Sequence, residues 1–138
     1  MNSPGSELPY VTIISGGVGT RLWPRSRRRS PKQLIGLAAG RSLIQTTLER
    51  MLPLTSPDRV FVVTIGDQQE AVRAQLPEIP PQNVIAEPEG RNTAMAIGLA
   101  VLHVAVADPN AMMISVGSDH FIGDNEAYRN TLRAAVAA

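Results

Sequence analysis

The segment with the clearest chemical character is residues 14–24, ISGGVGTRLWP, with SPKQ following at residues 30–33. It joins an apolar, β-branched run to three glycines within four positions, and then to cations. Glycine lets the backbone approach a ligand closely, and successive N–H groups in such a loop can form a concavity that holds an anion. Arg21 and Lys32 add positive charge beside it. The pattern therefore predicts a strand that opens into a phosphate-binding loop.

Two better-known phosphate loops do not fit these residues. A P-loop requires four residues between its glycines and then Lys-Ser or Lys-Thr, and the sequence contains no such string. The dinucleotide-binding pattern GxGxxG, counted from Gly17, has Leu22 where its third glycine belongs. Pro24 also argues against an immediate helix. Both alternatives are excluded.

The loop requires a scaffold, and the rest of the chain predicts one. Four apolar segments indicate strands, at residues 10–14, 59–65, 83–86 and 111–116. Stretches with helical periodicity lie between and after these segments. They predict helices from Ser42 to about Met51, over 68–76 after an Asp67 cap, over about 92–106, and from Asp124 or Asn125 onward. Such alternation predicts right-handed βαβ units and a parallel sheet covered on both faces, an α/β fold.

Each of the three most distinctive polar segments follows a predicted strand. Because ligands of such sheets bind beyond the carboxyl ends of the strands, these segments are expected to converge on one edge. The third helix is apolar on most faces, which predicts burial against the sheet, with His103 as a packed core residue. Residues 1–7 are expected to be a disordered leader, which leaves 8–138 as the folded part.

Composition limits the class of protein. The chain has 138 residues, the size of one domain, and its 43 % hydrophobic and 18 % charged residues are typical of a globular protein. It has no cysteine, which excludes disulfides and thiolate metal sites. No apolar run approaches the ~20 residues of a membrane span, and the N-terminus lacks a signal pattern. A soluble cytoplasmic protein without a membrane partner is expected.

Positive charge is concentrated in residues 21–32, which hold six basic residues and no acid, although the net charge is only +1. A solvated basic loop and a nucleic-acid patch are the alternatives to a polyphosphate site. The scarcity of aromatic residues around the run, and the absence of basic character elsewhere, argue against nucleic acid. Lys32 is the only lysine in the chain, which favours a point-charge role there.

The motifs in combination resemble a known family. GGxGTRLWP and PKQ, then EPEGRNTA at residues 87–94 and Ser118-Asp119-His120, occur in the order and spacing of the sugar-nucleotide pyrophosphorylases, which are nucleotidyltransferases. Within that family they are similar to the mannose-1-phosphate guanylyltransferase branch. The resemblance implies the nucleotide-diphospho-sugar transferase fold, a Rossmann-like parallel sheet flanked by helices. The chain ends in a helical pattern without a stop signal, so it is expected to be a truncated, nucleotide-binding part of such a protein.

The resemblance also assigns roles to residues. It implies Arg21 and Lys32 as catalytic cations and Asp119 as the ligand of a magnesium cofactor. It implies nucleotide contacts by Gly16, Gly17, Gly19, Thr20, Glu87, Asn92 and Thr93. Other roles stay open: Asn92 and Thr93 suit a helix N-cap, which is compatible with ligand binding, and an Asp in this context is often a turn residue.

The implied reaction converts mannose 1-phosphate and GTP to GDP-mannose and pyrophosphate, by an enzyme that could be a homo-oligomer. The alternative is a non-catalytic module that binds nucleotide or associates with another subunit. The sequence departs from the family at Ser15, usually Ala, at Met95, usually Pro, and at residues 116–118, usually Leu-Pro-Ala. These departures affect the expectation of catalysis more than that of binding.

Overall fold

The computed structural model describes residues 8–16, 34, 36, 40–89 and 92–138. The predicted leader, residues 1–7, lies outside them. Strands and helices alternate along the described residues: β1 (Tyr10–Ser15), α1 (Leu43–Met51), β2 (Val60–Ile65), α2 (Gln69–Gln75), β3 (Val84–Glu87), α3 (Thr93–Ala107), β4 (Met113–Gly117) and α4 (Asn125–Ala137). Each predicted strand is present, with its bounds shifted by no more than two residues.

The four strands form one parallel sheet in the order β3-β2-β1-β4. Ser15 at the end of β1 pairs with Thr64, Ile14 pairs with Gly117, and Ile65 pairs with Glu87. All four carboxyl ends therefore lie at the same edge of the sheet. The predicted parallel α/β fold is confirmed.

Helices cover both faces of the sheet, as the apolar runs in β1 and β2 require. On one face Ile44, Leu48 and Met51 of α1, Val72 of α2, and the partly buried Tyr128 and Leu132 of α4 pack against alternate strand residues such as Val11 and Ile13. On the other face α3 packs through Ala96, Ala100 and Val104. Strands buried on both faces lose the polar alternation of a half-exposed sheet, and β1 and β2 show this.

Side-chain caps define where three helices begin. Ser42 and Gln45 form a reciprocal capping box at α1, Asn92 accepts a hydrogen bond from the Thr93 N–H at α3, and Asp124 accepts one from the Ala127 N–H at α4. The predicted Asp67 cap is wrong. Residues 66–68 form a 3-10 turn and α2 begins only at Gln69, because that turn separates Asp67 from the first helical N–H groups.

α3 packs against the sheet as predicted, through Ala96, Ala100 and Val104, but its outer face is open to solvent. Met95, Leu102 and Val106 are exposed, at 64 %, 66 % and 89 %, because only the opposite side of α3 meets the sheet. His103 is likewise exposed rather than packed in the core, although its ring centroid lies 6.1 Å from that of Phe61. In the described residues, no helix combines the length and apolar character needed to cross a membrane.

Arg50 attaches α4 to α1. Its Nε donates to the Asn125 side-chain oxygen at 2.7 Å, and its guanidinium lies 5.8 Å from the centre of the Tyr128 ring. Burial lowers the pKa of Arg50, while the nearby Tyr128 opposes that shift. The guanidinium stays charged, since arginine titrates far above neutral pH. The position of α4 therefore depends on one buried cation as well as on apolar packing.

Candidate active site

The sheet edge formed by the carboxyl ends of the strands carries the described residues that the sequence singled out. Gly16 directly follows β1, Glu87 is the last residue of β3, and Asp119 lies two residues after β4. Asn92 and Thr93 begin α3, which follows β3. The predicted convergence of the three motifs is confirmed for these residues.

Asp119 and Gly16 follow adjacent strands. The Ser118 N–H donates to the Ile14 carbonyl at 3.1 Å, which extends the pairing of β1 and β4 by one residue beyond Gly117. Ser118 is buried, whereas Gly16 is exposed and the Asp119 side chain keeps 30 % of its surface accessible. The arrangement presents a carboxylate to solvent beside a glycine at which backbone can approach a ligand.

Glu87 provides a second carboxylate at the same edge. It is only 7 % exposed, at the point where β3 ends beside Ile65. A buried carboxylate requires compensating donors, from protein or from a ligand. Nearby, Asn92 caps α3 through a 2.8 Å hydrogen bond from the Thr93 N–H. The capping role of Asn92 is therefore observed, and it leaves the exposed Thr93 at a helix N-terminus that favours anions.

The two carboxylates lie at opposite ends of the edge. Glu87 ends β3 and Asp119 follows β4, and these are the outer strands of the four described here. Three inter-strand spacings separate the two strands, about 14 Å. Gly16 lies between them, at the end of β1. An extended ligand with hydrogen-bond donors at one end and a cation-bound anionic group at the other matches this order.

Five predicted site residues lie outside the described residues: Gly17, Gly19, Thr20, Arg21 and Lys32. Their roles remain predictions from the sequence.

Asp119 fits a magnesium ion by its donor chemistry. The described residues contain no group of three or more His, Asp or Glu side chains placed to hold a metal. Mg²⁺ does not need such a cage, because it is commonly held by one or two carboxylates together with substrate phosphates and water. A partly exposed carboxylate at the open edge of the sheet is compatible with this kind of binding.

Gly117 is a residue whose role the sequence did not predict. A Cβ at this position would lie 3.3 Å from His120 Cε1 and 3.4 Å from Asp119 Oδ1, so the following turn folds back over it. The sequence feature that could have drawn attention to Gly117 is its position directly before the Ser-Asp-His motif, where the resembled family usually has proline.

The chain is similar in sequence to a known protein family and to several characterised relatives. Residues 10–138 match the family described as Nucleotidyl transferase. The mannose-1-phosphate guanylyltransferase of Escherichia coli K12 is 38 % identical over 137 residues, which are 92 % of this chain and 27 % of that protein. The alginate biosynthesis protein AlgA of Pseudomonas putida is 36 % identical over 128 residues, which are 91 % of this chain and 26 % of the relative. The chain thus spans about a quarter of these relatives.

Two solved structures share the fold. A Thermus thermophilus protein described as a mannose-1-phosphate geranyltransferase superposes with a TM-score of 0.79 at 36 % identity, covering 91 % of this chain and 36 % of that one. A Helicobacter pylori protein described as a mannose-6-phosphate isomerase has a TM-score of 0.70 at 26 % identity, covering 94 % of this chain and 46 % of that one. With its parallel sheet and a family match over nearly its whole length, the chain belongs to the nucleotidyl transferase family.

Proposed function

We propose that this chain is the nucleotide-binding part of a guanylyltransferase that converts mannose 1-phosphate and GTP to GDP-mannose and pyrophosphate. The observation that carries the proposal is the placement of Glu87 and Asp119 at opposite ends of one sheet edge, with Gly16 between them. The names of the relatives support the choice of sugar and base.

Glu87 is the proposed determinant of base selection. Guanine presents two N–H donors on its pairing edge, at N1 and N2, and a carboxylate can accept from both. Adenine has no donor at N1. Because Glu87 is buried, its charge is poorly solvated, and a base that satisfies it gains more than an exposed carboxylate would offer.

The phosphates lie, in this proposal, on the β1 side of the edge. The N–H groups of Gly16, Gly17 and Gly19 and the Thr20 hydroxyl bind them, and Arg21 and Lys32 neutralise the triphosphate. Magnesium bound at Asp119 would add charge neutralisation for the leaving pyrophosphate.

The reaction proposed is a direct displacement at phosphorus. A phosphate oxygen of mannose 1-phosphate bonds to the α-phosphorus of GTP as the bond from that phosphorus to the bridging oxygen of pyrophosphate breaks. No covalent enzyme intermediate is needed, so the residues of this edge act by holding the reactants in line and stabilising charge. The residues expected to matter most are therefore those that position phosphate.

A second candidate is a binding module without catalysis. It is favoured by one observation: the chain spans only 26 % to 27 % of the relatives described above. Such a module would hold nucleotide at the same edge but would not convert it. Assay of the purified chain with GTP, mannose 1-phosphate and magnesium separates the two candidates, since formation of GDP-mannose excludes the module.

The first test is calorimetric titration of the chain with GTP, with and without magnesium, using ATP and UTP as competitors. We expect GTP to bind more tightly than ATP and magnesium to strengthen binding. The Glu87→Gln variant should lose about tenfold in preference for GTP over ATP, since one charged hydrogen bond is worth about 1.5 kcal/mol or more. Asp119→Asn should lose the response to magnesium and keep the base preference.

One control variant and two variants at the predicted phosphate contacts separate local from global effects. Glu78→Gln removes an exposed carboxylate away from the carboxyl edge, and should bind GTP as the wild type does. Arg21→Ala and Lys32→Ala should weaken all three nucleotides together, because they contact phosphate. A folded chain that binds ATP, UTP and GTP equally would contradict the assignment of base selection to Glu87, and a folded chain that binds none would contradict the proposal as a whole.

A further inference from the structure

The outer face of α3 is apolar and open to solvent. α3 contains no Asp, Glu, Lys or Arg, and only its inner side meets the sheet. The outer face consists of seven exposed residues, which are Ala94, Met95, Gly98, Val101, Leu102, Ala105 and Val106. Contiguous apolar patches on a protein surface commonly mark interaction sites. The chemistry of this face therefore points to another protein surface as its partner.

Gly98 leaves an open space at the centre of the outer face. At about 100° per residue, Gly98, Leu102 and Ala105 lie along the middle of the face, and Met95 and Val106 lie together along one side. A Cβ at Gly98 would have nothing within 4 Å. Leu102, one helical turn further along, is exposed. A large side chain beside an open space gives the face a shape that a second helix can match.

The outer face is complementary to itself when two copies of α3 pack antiparallel. A two-fold axis level with residue 100 brings Leu102 of each copy over the partner's Gly98. The same axis places Met95 beside the partner's Val106. Such an interface is isologous, because every contact occurs twice. Since α3 carries no Asp, Glu, Lys or Arg, the symmetry brings no like charges together.

We propose that the outer face of α3 is a homodimer interface, in which a second copy of this chain packs its own α3 antiparallel against the first. The occupant is a second copy because one helix supplies both the large side chain and the space that receives it. α3 lies on the face of the sheet opposite α1, α2 and α4, so those helices do not obstruct its approach. Neither Glu87 nor Asp119 belongs to the outer face, so the interface does not depend on nucleotide binding.

The size of the outer face sets the expected strength of the dimer. The 15 residues of α3 extend over about 22 Å. A single helix pair of this length buries less than the roughly 1,600 Å² of a standard interface, which places it among the small, weak or transient ones. We therefore expect reversible dimers that form at micromolar or higher concentrations.

The test is sedimentation equilibrium of the purified chain over a range of concentrations, without nucleotide. The wild-type mass should rise from monomer to dimer and no further. Ala105→Glu places a carboxylate in the middle of the outer face, where the dimer would bury it, and should raise the dissociation constant about tenfold or more. Ala134→Glu is the matched control, with the same substitution at an exposed position of α4, and should dimerise as the wild type does.

Gly98→Met tests the fit of the two surfaces separately from their apolar character. The added side chain enlarges the apolar surface and meets no obstacle within one chain, because the space at Gly98 is open. It fills the space that Leu102 of the second copy requires, so it should weaken dimerisation about tenfold. Association of Gly98→Met as tight as that of the wild type, or tighter, would overturn the inference.

Two further outcomes would also contradict it. A wild-type chain that stays monomeric throughout would mean that a different protein surface covers the outer face. Dimers that Ala105→Glu leaves intact would mean that another surface joins the two copies. Circular dichroism establishes that each variant is folded. Because no measurement includes GTP, failure of the proposed function would leave the interface standing, and a monomeric chain would leave the proposed function standing.

Discussion

At the scale of single residues, the carboxyl edge of the sheet carries the carboxylates of Glu87 and Asp119 and the buried hydroxyls of Ser15 and Thr64. Glu87 and Asp119 were identified from motifs, and both lie at the expected edge of the sheet. The buried hydroxyls of Ser15 and Thr64, by contrast, have no hydrogen-bond partner in the described part of the chain. No pattern in the sequence predicts this. The two residues pair directly between β1 and β2, so the sheet edge holds two unsatisfied hydroxyls side by side.

Removing the hydroxyl of Ser15 should stabilise the protein. A buried hydroxyl without a partner costs about 1 kcal/mol or more, and alanine, the usual residue of the resembled family, has no such group. We expect Ser15→Ala to raise the free energy of unfolding by about 1 kcal/mol in urea denaturation. Ser115→Ala, on exposed β4 surface, is the control and should change little. Destabilisation by Ser15→Ala would show that the hydroxyl is satisfied in solution.

At the scale of elements, local signals located the helices but not all of their ends. The Ser42 cap, the Asn92 cap and the start of α4 at Asp124 follow from side chains that satisfy nearby N–H groups. Asp67 is also a residue type that commonly caps helices, but it does not cap α2, because a 3-10 turn lies between Asp67 and that helix. Capping is a short-range competition between turn geometries, and composition alone does not decide its outcome.

The cap of α1 also connects two helices, so its loss should cost more than that of an ordinary cap. The Ser42 hydroxyl donates to Gln75 Oε1 at 2.5 Å, and Gln45 Nε2 donates to the Gln75 carbonyl at 3.1 Å. We expect Ser42→Ala to lower the free energy of unfolding by about 2 kcal/mol, the upper end for N-caps. Asp124→Ala, which removes a hydrogen bond from the first turn of its own helix, should cost about 1 kcal/mol.

Thermal and urea denaturation of the two variants provide the comparison. If Ser42→Ala and Asp124→Ala lower the free energy of unfolding equally, the hydrogen bond to Gln75 contributes no stability beyond that of the cap.

At the scale of the whole molecule, β1, β2 and the helices packed on them form the best-buried region. β4 and α4 lie at its margin, and α4 has no fully buried residue. Its attachment depends on the partly buried Tyr128 and Leu132 and on the hydrogen bond from Arg50 to Asn125. Elements with few buried contacts open at lower free energy than the core. Asp119, in the connection between β4 and α4, therefore belongs to the less stable part of the fold.

Replacing Arg50 should loosen α4 without unfolding the sheet. Arg50→Ala removes both the 2.7 Å hydrogen bond to Asn125 and the contact with the Tyr128 ring. We expect hydrogen exchange in α4 to report a loss of about 2 kcal/mol of protection, while β1 and β2 change less. Arg133→Ala is the control, because Arg133 donates to Asn130 within exposed α4 surface. A uniform loss across all elements would show that α4 and the sheet unfold as one unit.

The sequence by itself determined the alternation of strands and helices, the parallel sheet and the polar segments that follow the strands. These features depend on residue periodicity and on side chains a few positions apart, and both are present in the sequence itself. Only the tertiary structure decided that β1 lies between β2 and β4, and hence that Asp119 is beside Gly16 while Glu87 is two strands from β1. It also decided that the outer face of α3 stays exposed and that Gly117 leaves space for His120. Apolar patterning specifies which faces are buried, but the pairing of distant segments depends on how those faces fit together in space.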